Sequence, residues 1–346
     1  MRVAELIAPR TFRLTDMPLE DPSPGEVQVR VGAVGICGSD LHAYSEGGVG
    51  STPNVYPMVL GHEPAGVIVK TGADVRGFAE GDRGALEPAL YCYHCEFCLS
   101  GHHNVCANIQ FLSTPHHPGF FRELVNLPAA NFRPIPSGIS LDQATLAEPL
   151  AVALHSLHRA SLRPGETVAV IGAGPIGLLT IAALRSAKAA RIWCVEPLAH
   201  RRELARAIGA SVVLEPGEAL AEILKGTAQR GVDCAIDCAA REQTTNQAIQ
   251  LTRNAGRAVL TGIHSTHLVT LDGSAMRRKG LTLINVRRSN HEAKEALELL
   301  QAQPEWFGPL LTHTRQIECI DEAFAIASEY RDGVGKMIIR PQNRIG

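Results

Sequence analysis

The chain has 346 residues, which is long for one domain and suits two. Hydrophobic residues make up 45% and charged residues 20%, and the formal net charge of −2 gives no bias toward nucleic acid or a membrane surface. No apolar run is long enough to span a bilayer, and the N-terminal MRVAELIAPR lacks the features of a secretory signal. This predicts a cytoplasmic protein whose nine cysteines are thiols or metal ligands rather than disulfides.

The N-terminal part of the chain is predicted to be rich in antiparallel β structure. From Val27 to Val69, strand-like runs alternate with glycine and proline, and helical periodicity is scarce. Helix candidates follow from about Leu141, where Ser140 is a suitable N-cap, and from Leu150 to Arg159. The pattern changes after these helices, which predicts a domain boundary between Glu148 and Gly165.

The middle of the chain has a different pattern of predicted secondary structure. From Gly165 to about Val286, strands and helices alternate, and this alternation predicts a doubly wound parallel sheet. An amphipathic helix is predicted from His291 to Ala302, and a final strand from Lys336 to Ile339 is assigned to the N-terminal domain. The prediction is therefore an α/β protein in which residues 1–150 and 288–346 form one domain and residues 151–287 the other.

A glycine-rich segment in the middle domain has the form of a dinucleotide-binding turn. The apolar strand Val168 to Ile171 is followed at once by GAGPIG, a G-x-G-x-x-G pattern, and then by a helix predicted to extend to Ala187. The glycines permit a tight turn, close approach of a pyrophosphate and close packing of the helix, whose N-terminus favours phosphate. The cofactor-binding candidates in this turn are Gly172, Gly174, Pro175, Ile176 and Gly177.

An acidic residue follows at the distance expected for a ribose contact. The strand Arg191 to Val195 leads to Glu196, which would hydrogen-bond the adenosine ribose and repel a 2′-phosphate, so NAD is predicted rather than NADP. Arg201, a further cofactor-binding candidate, and Arg202 lie close behind and would favour NADP if they faced the cofactor instead of solvent. The plainer alternative is an ordinary turn with Glu196 as a solvated strand end.

Four cysteines lie close together in a stretch with little regular periodicity, YCYHCEFCLSGHHNVC. Four thiolates can form a tetrahedron around Zn²⁺ with no open position, which is the arrangement of a structural zinc site. An iron–sulfur cluster uses the same ligands, and a chance group of free thiols is the remaining alternative. The candidates are Cys92, Cys95, Cys98 and Cys106.

A second group of candidate ligands is dispersed along the chain. A thiolate, an imidazole and a carboxylate are the ligands of a catalytic zinc that keeps one position open for water or substrate. Each residue alone also has a structural explanation, as a buried thiol, a core histidine, a capping acid or the start of a helix. Together with a dinucleotide fold, the group predicts a catalytic zinc, and its members are Cys37, His62, Glu63 and Glu148.

These motifs together resemble the zinc-dependent medium-chain alcohol dehydrogenases, in particular the branch of sorbitol (polyol) and threonine dehydrogenases. The resemblance covers essentially the whole chain and rests on the four-cysteine loop and on CGSDLH at 37–42, GHE at 61–63, GDR at 81–83, LEP at 86–88, EP at 148–149 and GAGPIG at 172–177. It implies a GroES-like β-rich catalytic domain formed by both ends of the chain, a Rossmann domain between them, and an active site in the cleft. It also implies a homo-oligomer, either a dimer or a tetramer.

The resemblance implies roles for individual residues. Cys37 and His62 match zinc ligands, with either Glu63 or Glu148 as the third ligand. Ser39 and His42 match a relay that carries the alcohol proton through the cofactor ribose to solvent, although a turn cap and a half-buried helix residue are the alternatives.

The substrate side is less well defined. Arg287 matches a substrate- or cofactor-side arginine of the polyol enzymes, but Arg288 lies beside it and one of the two is expected to be only solvated. Ala43 stands where sorbitol-specific relatives often have an aromatic residue, and the loop Thr114 to Gly119 has two histidines in place of acidic residues.

The predicted function is a zinc- and NAD-dependent dehydrogenase that oxidises a secondary alcohol, a polyol or vicinal diol, to the ketone. L-threonine and polyol phosphates are the alternative substrates. A zinc-free reductase of enones or quinones, and a non-catalytic dinucleotide sensor with structural zinc only, are the competing functions.

Overall fold

The structure, a computed structural model, describes residues 1–342 and divides the chain into two compact units. The first unit contains Met1–Glu148, Ala293–Pro304 and the stretch from Leu311 onward, and the second contains Pro149–Glu292 and Glu305–Leu310. In the described part of the chain, no helix is both long and apolar enough to cross a membrane.

The N-terminal stretch is mainly antiparallel β structure. Its strands are β1 Arg2–Ala8, β2 Thr11–Asp16, β3 Glu26–Gly35, β4 Gly48–Val49, β5 Thr52–Pro53, β6 Glu63–Thr71, β7 Arg83–Leu86, β8 Ala89–Leu90, β9 Gln110–Phe111, β10 Leu124–Pro128 and β11 Phe132–Pro134. Its helices are α1 Gly38–Glu46, α2 Glu96–Leu99 and α3 Leu141–Ala144, with 3₁₀ turns at His103–Val105 and Ala129–Asn131. In β3 every second residue from Val27 to Ala33 is buried, which is the period-two pattern of a strand with one face on the core.

The second unit alternates helices with strands. Its helices are α4 Ala147–Arg159, α5 Pro175–Ser186, α6 Ala199–Ile208, α7 Ala219–Gly226, α8 Glu242–Leu251 and α9 Gly273–Lys279, of which α4 begins in the first unit. Its strands are β12 Thr167–Ile171, β13 Arg191–Val195, β14 Val212–Leu214, β15 Val232–Asp237, β16 Thr252–Leu260 and β17 Thr282–Asn285.

These six strands form one parallel sheet in the order β14–β13–β12–β15–β16–β17. Every residue of β15 is buried, as expected for a central strand covered on both faces. The chain runs outward from β12 in one direction and resumes on its other side at β15, so the topological switch point lies between β12 and β15. The predicted α/β class with a doubly wound parallel sheet is confirmed.

The C-terminal stretch returns to the first unit. Its elements are α10 Ala293–Ala302, α11 Pro304–Phe307, β18 Leu311–Gln316, α12 Ile320–Ser328 and β19 Lys336–Arg340, with 3₁₀ turns at Gly308–Leu310 and Ile317–Cys319. β19 pairs antiparallel with β3 and parallel with β18, so the sheet of the first unit runs β11–β7–β6–β3–β19–β18, with β10 also paired to β3. The two ends of the chain therefore share one sheet, and β3 lies between β6 and β19.

Candidate active site

Three of the four dispersed ligand candidates lie close together in the first unit. One ligand atom each from Cys37, His62 and Glu63 lies within 4.8 Å of the other two. Cys37 follows β3 as the N-cap of α1, and His62 and Glu63 stand where β6 begins. β3 and β6 are antiparallel neighbours in which Gly35 is paired with Glu63, so the end of one strand meets the start of the other.

Asp40 is a member of this site that the sequence analysis missed. Its carboxylate is 1% exposed and lies 3.3 Å from His62 Nδ1. The backbone N–H groups of Cys37 and Gly61 and the hydroxyl of Ser113 donate hydrogen bonds to it. A carboxylate behind an imidazole fixes the ring so that Nε2 faces the metal, as in most zinc-bound histidines.

The charges in this group favour a cation. Burial alone would lower the pKa of His62, but the negative charges of Asp40 and Cys37 raise it well above 6.5. Burial alone would raise the pKa of Asp40, yet His62 and the backbone N–H groups of Cys37 and Gly61 lower it. In the metal-free protein the imidazole therefore tends to take a proton, and a bound dication replaces that proton.

Glu63 has a buried counter-ion on the other side of β3. Lys336, the first residue of β19, forms an ion pair with Glu63 Oε2, and the two side chains are 0% and 1% exposed. A Cβ atom on Gly35 would overlap Glu63 Oε2, so the lysine reaches its partner because this position has no side chain. Among the described residues, Glu63 Oε1 is buried and has no hydrogen-bond partner. A bound cation is one way to satisfy such an atom, and the residues fit zinc.

The other predicted residues of this region occupy different positions. Glu148 lies half-buried in the first turn of α4 and belongs to neither group of candidate metal ligands in the described chain. Ser39 Oγ lies 3.5 Å from His62 Nε2. His42 follows one turn later on α1, where its Nδ1 lies 2.9 Å from Glu46 Oε1. The proton relay through Ser39 and His42 stays a prediction.

The four cysteines of the loop also meet. Their Sγ atoms all lie within 4.8 Å of one another, and three of the separations are 3.5, 3.9 and 3.9 Å. A tetrahedron with zinc–sulfur bonds of about 2.3 Å has edges of about 3.8 Å, so the spacing fits four-thiolate coordination. The backbone N–H of His94 lowers the pKa of the Cys92 thiol to about 5, which favours the thiolate that binds metal. Burial raises the pKa of the Cys98 thiol to about 12.

The glycine motif of the second unit forms the turn between β12 and α5. Gly172 has a φ of +91°, a left-handed conformation that favours glycine. A Cβ atom on Gly177 would overlap the carbonyl oxygen of Gly172, which is why the third glycine is required for close packing. Gly174 is the N-cap of α5, and Pro175 and Ile176 begin the helix. The backbone N–H groups at this helix N-terminus are suited to a pyrophosphate.

Glu196 is buried rather than solvated at the end of β13. It is 3% exposed, its Oε2 accepts a hydrogen bond from the backbone N–H of Ala173 at 2.7 Å, and its Oε1 accepts one from the N–H of Leu198 at 2.9 Å. The carboxylate thus ties the end of β13 to the glycine turn. Each oxygen has a second lone pair, which remains suited to a ribose hydroxyl.

The predicted arginines differ in their surroundings. Arg201 lies beside the glycine turn, with a guanidinium nitrogen 3.9 Å from the position of a Cβ on Gly174. Arg202 donates to the carbonyl of Glu196 and pairs with Glu215 at 2.8 Å. Arg287 is exposed just beyond β17. Arg201 therefore lies near the glycine turn, whereas Arg202 contacts Glu196 and Glu215.

Comparison with known proteins tests the predicted family. The family model for the alcohol dehydrogenase GroES-like domain matches residues 23–137, and that for zinc-binding dehydrogenases matches residues 175–302. A sorbitol dehydrogenase of Bacillus subtilis is 32% identical over 343 residues, 99% of this chain and 97% of the relative. An L-idonate 5-dehydrogenase of Vitis vinifera is 32% identical over 330 residues, 93% of this chain and 90% of the relative.

Solved structures agree with these relatives. The 2R,3R-butanediol dehydrogenase of Bacillus subtilis has a TM-score of 0.88 and 28% identity and covers 99% of both chains. An alcohol dehydrogenase of Escherichia coli CFT073, solved with NADH, has a TM-score of 0.88 and 28% identity and covers 98% of this chain and 99% of its own. The predicted cofactors, zinc and NAD, are confirmed. The chain therefore belongs to the zinc-dependent medium-chain alcohol dehydrogenase family, in its sorbitol dehydrogenase branch.

Proposed function

We propose that the protein oxidises a secondary alcohol with a neighbouring hydroxyl group, a polyol or vicinal diol, to the corresponding ketone. The observation that supports this most is the convergence of Cys37, His62 and Glu63, with Asp40 behind the imidazole and an orphaned oxygen on the carboxylate. Three protein ligands leave one position of a tetrahedral zinc for the substrate. In this proposal the zinc is catalytic and the four-cysteine zinc is structural.

A zinc ion held by these ligands would supply Lewis-acid stabilisation of the charge that develops on the alcohol oxygen, and NAD held by the second unit would supply the hydride acceptor. Cys37, His62 and Glu63 hold the metal, and Asp40 keeps the His62 ring in the ligating orientation. The Ser39 hydroxyl lies 3.5 Å from His62 Nε2 and would accept the alcohol proton while its own proton passes to a hydroxyl of the cofactor ribose. His42, three residues later on the same face of α1, would take the proton from the ribose and release it to solvent.

The second unit provides the cofactor site in this proposal. The N–H groups of the glycine turn bind the pyrophosphate, and Glu196 accepts a hydrogen bond from the adenosine ribose. A carboxylate in this place disfavours a 2′-phosphate, so NAD is preferred over NADP. Arg201 beside the turn is the residue that would reduce this preference.

The substrate class follows from the chemistry of the site and from the relatives. A site that hydrogen-bonds substrate hydroxyls rejects analogues without them, because its own polar groups are then left unpaired. Sorbitol and 2R,3R-butanediol, named in two similar proteins, both carry adjacent hydroxyls. His117, half-buried in the loop after β9, and the exposed His116 and Arg287 would suit an anionic group in an alternative substrate. We further propose a cytoplasmic homo-oligomer, a dimer or tetramer, that acts on small molecules and has no nucleic-acid partner.

Zinc content and a substrate panel test the proposal. Purified protein should hold about two zinc ions per chain and should form NADH with sorbitol, xylitol and 2,3-butanediol at a far higher kcat/KM than with ethanol. A preference for L-threonine or a polyol phosphate would move the substrate to the alternative class. One zinc per chain without turnover would identify a dinucleotide sensor, and the highest kcat/KM on simple primary alcohols would contradict the polyol assignment.

A further inference from the structure

A chain of three polar side chains lies outside the glycine turn in the second unit. Asp237, 1% exposed, ends β15, and its Oδ1 accepts hydrogen bonds at 3.0 Å from the backbone N–H groups of Ala239 and Ala240. Its Oδ2 accepts one at 2.7 Å from the hydroxyl of Thr245, which is fully buried on α8. The Thr245 hydroxyl in turn lies 2.9 Å from His264 Nε2, in the loop after β16. The chemistry described above uses none of these three side chains.

The directions of these hydrogen bonds determine which ring nitrogen of His264 carries the proton. The Thr245 hydroxyl has one hydrogen, which it donates to Asp237 Oδ2 at 2.7 Å or to the carbonyl of Arg241 at 3.1 Å, and both of these partners are acceptors. The hydroxyl oxygen therefore accepts its hydrogen bond from Nε2–H of His264. In the neutral imidazole this leaves Nδ1 as a hydrogen-bond acceptor.

Nδ1 is available to a ligand. Within residues 1–342, Nδ1 of His264 makes no hydrogen bond. The atom is not fully buried, so it retains accessible surface. The ring is half-buried and held from behind through Thr245 and Asp237. An oriented ring with a free acceptor is preorganised to receive a hydrogen bond.

The position of His264 indicates which part of the cofactor it meets. The strand order β13–β12–β15–β16 sets the loops that follow these strands side by side at the carboxyl edge of the sheet. These loops touch in turn: a Cβ on Gly172 would lie 2.9 Å from Ala239 Cβ, and one on Gly262 would lie 2.6 Å from Ala240 Cβ. With the adenosine ribose at Glu196 and the pyrophosphate at the glycine turn, the nicotinamide half continues across the switch point, over β15 and β16.

We propose that His264 Nδ1 accepts a hydrogen bond from the nicotinamide half of the bound cofactor, either from the carboxamide N–H or from a hydroxyl of the nicotinamide-side ribose. Thr245 and Asp237 are positioning residues that hold the ring in the accepting tautomer. This inference deepens the proposed function, because it rests on a dinucleotide bound at the glycine turn. It assigns a cofactor contact to a loop residue that no motif in the sequence marks.

The test is ligand binding to His264→Ala, with His267→Ala as the matched control on the same loop, where His267 is exposed. Dissociation constants for NADH, ADP-ribose and ADP are measured by fluorescence or calorimetry on the purified full chain. We expect His264→Ala to weaken NADH binding about fivefold to tenfold, the effect of one lost hydrogen bond, and to leave ADP binding unchanged. The His267→Ala variant should bind all three ligands like the wild type.

ADP-ribose separates the two donors. If the ribose hydroxyl donates, ADP-ribose loses affinity together with NADH; if the carboxamide donates, only NADH does. Thr245→Val should reproduce part of the NADH loss and Thr245→Ser should restore wild-type affinity, because serine keeps the hydroxyl. Unchanged NADH affinity in His264→Ala, or an equal loss for ADP, would overturn the inference. Failure of the wild-type protein to bind NADH would count against the proposed function instead.

Discussion

The first unit contains two groups of candidate metal-ligand side chains that differ in what surrounds them. The thiols of the four-cysteine group contact one another and nearby backbone N–H groups. In the Cys37–His62–Glu63 group, two ligands each have a separate buried partner, with Asp40 behind His62 and Lys336 beside Glu63. The ligands of the first group are all thiols and contact mainly one another. The second group combines three different ligand types, and two of them have a buried partner of their own.

This difference explains how two groups of metal-ligating residue types can serve a structural and a catalytic role. Four thiolates fill the coordination sphere of a metal and leave no position for a reactant. Metal binding at such a site therefore stabilises the folded state. Three ligands of different types leave one position open, and the buried partners of His62 and Glu63 keep these two ligands oriented while that position exchanges its occupant. Removing a ligand should therefore lower turnover in the Cys37–His62–Glu63 group and lower stability in the four-cysteine group.

The largest expected effect is the loss of turnover in Cys37→Ser. Removing the thiolate should lower kcat by about a thousandfold or more, since Lewis-acid stabilisation of the reacting oxygen is worth several kcal/mol. The glycine turn belongs to the other unit, so NADH binding should remain near the wild-type value. Steady-state rates, zinc content and NADH titration check this, and near wild-type activity would contradict the catalytic-zinc assignment.

Cys95→Ser should act in the opposite way. The variant loses one of four structural ligands, and we expect its melting temperature to fall by about 10 °C because zinc supplies folding energy at such a site. Activity per folded, fully metallated molecule should change much less than in Cys37→Ser. Scanning calorimetry combined with zinc analysis measures both quantities. Unchanged stability and zinc content would show that the four thiols do not form a structural site.

Lys336→Met tests the buried partner of Glu63. Without the lysine, the metal-free protein has a buried carboxylate with no counter-ion, and breaking such a pair costs about 3–5 kcal/mol. Zinc would replace the missing positive charge, so the free energy of unfolding should fall less in the zinc-loaded protein. Chemical denaturation of both forms measures the difference.

A matched control is available for this measurement. Lys70 pairs with Asp21 where both side chains are largely exposed, 45% and 80%, so Lys70→Met should change stability little in either form. Equal destabilisation of the metal-free and zinc-loaded forms by Lys336→Met would show that Glu63 does not face the metal.

The sequence was informative where the signal is local and less so where the sheet brings distant strands together. The glycine turn and the four-cysteine loop are continuous segments, and the α/β alternation is a periodic pattern, so each could be predicted directly. Asp40 was missed although it stands three residues after Cys37, where an acid can cap α1 through the backbone N–H of Cys37. Lys336 left no local signal, because it meets Glu63 only through the pairing of β19 with β3 across Gly35.

Glu196 and the His264 contact illustrate the same limit in the second unit. Spacing from the glycines predicted a ribose contact for the acid at the end of β13. It did not predict that backbone N–H groups donate to both oxygens of this carboxylate. His264 depends on Thr245 and Asp237, which come from α8 and β15 and meet only in the folded sheet. Side-chain chemistry is thus readable from sequence, whereas the partner of each side chain depends on strand order.

Asp40→Asn should weaken the catalytic metal site more gently than loss of a ligand. Outer partners of zinc-bound histidines typically contribute about 10–100-fold in metal affinity. The aspartate also raises the pKa of His62, so zinc competes with a proton on this ring and wild-type zinc affinity should fall as the pH is lowered. Without the aspartate charge, the pKa of His62 should be lower, and the decline should shift to lower pH. Chelator competition across a pH series measures both effects, and unchanged affinity would contradict the orienting role.

The same pair gives the metal-free protein a defined pH dependence. The raised pKa of His62 contributes stability that is fully present below about 6.5 and is lost as the pH rises through the folded-state pKa. The lowered pKa of Asp40 contributes stability that is present above about 3.9 and is lost as the pH falls through its folded-state pKa. The stability difference between wild type and Asp40→Asn, both metal-free, should therefore be largest between these two values.

The smallest expected effect is that of Glu148→Gln on zinc affinity, and it decides which carboxylate is the third ligand. Glu63 lies with Cys37 and His62, whereas Glu148 stands outside that group on α4. Glu63→Gln removes a charged ligand and should weaken zinc binding strongly, while Glu148→Gln should leave the dissociation constant within about twofold of wild type. Chelator competition and the absorption spectrum of the cobalt-substituted protein report affinity and ligand geometry together. If Glu148→Gln instead lost zinc more readily than Glu63→Gln, Glu148 would be the ligand, and the Glu63–Lys336 pair would be a structural ion pair next to the metal.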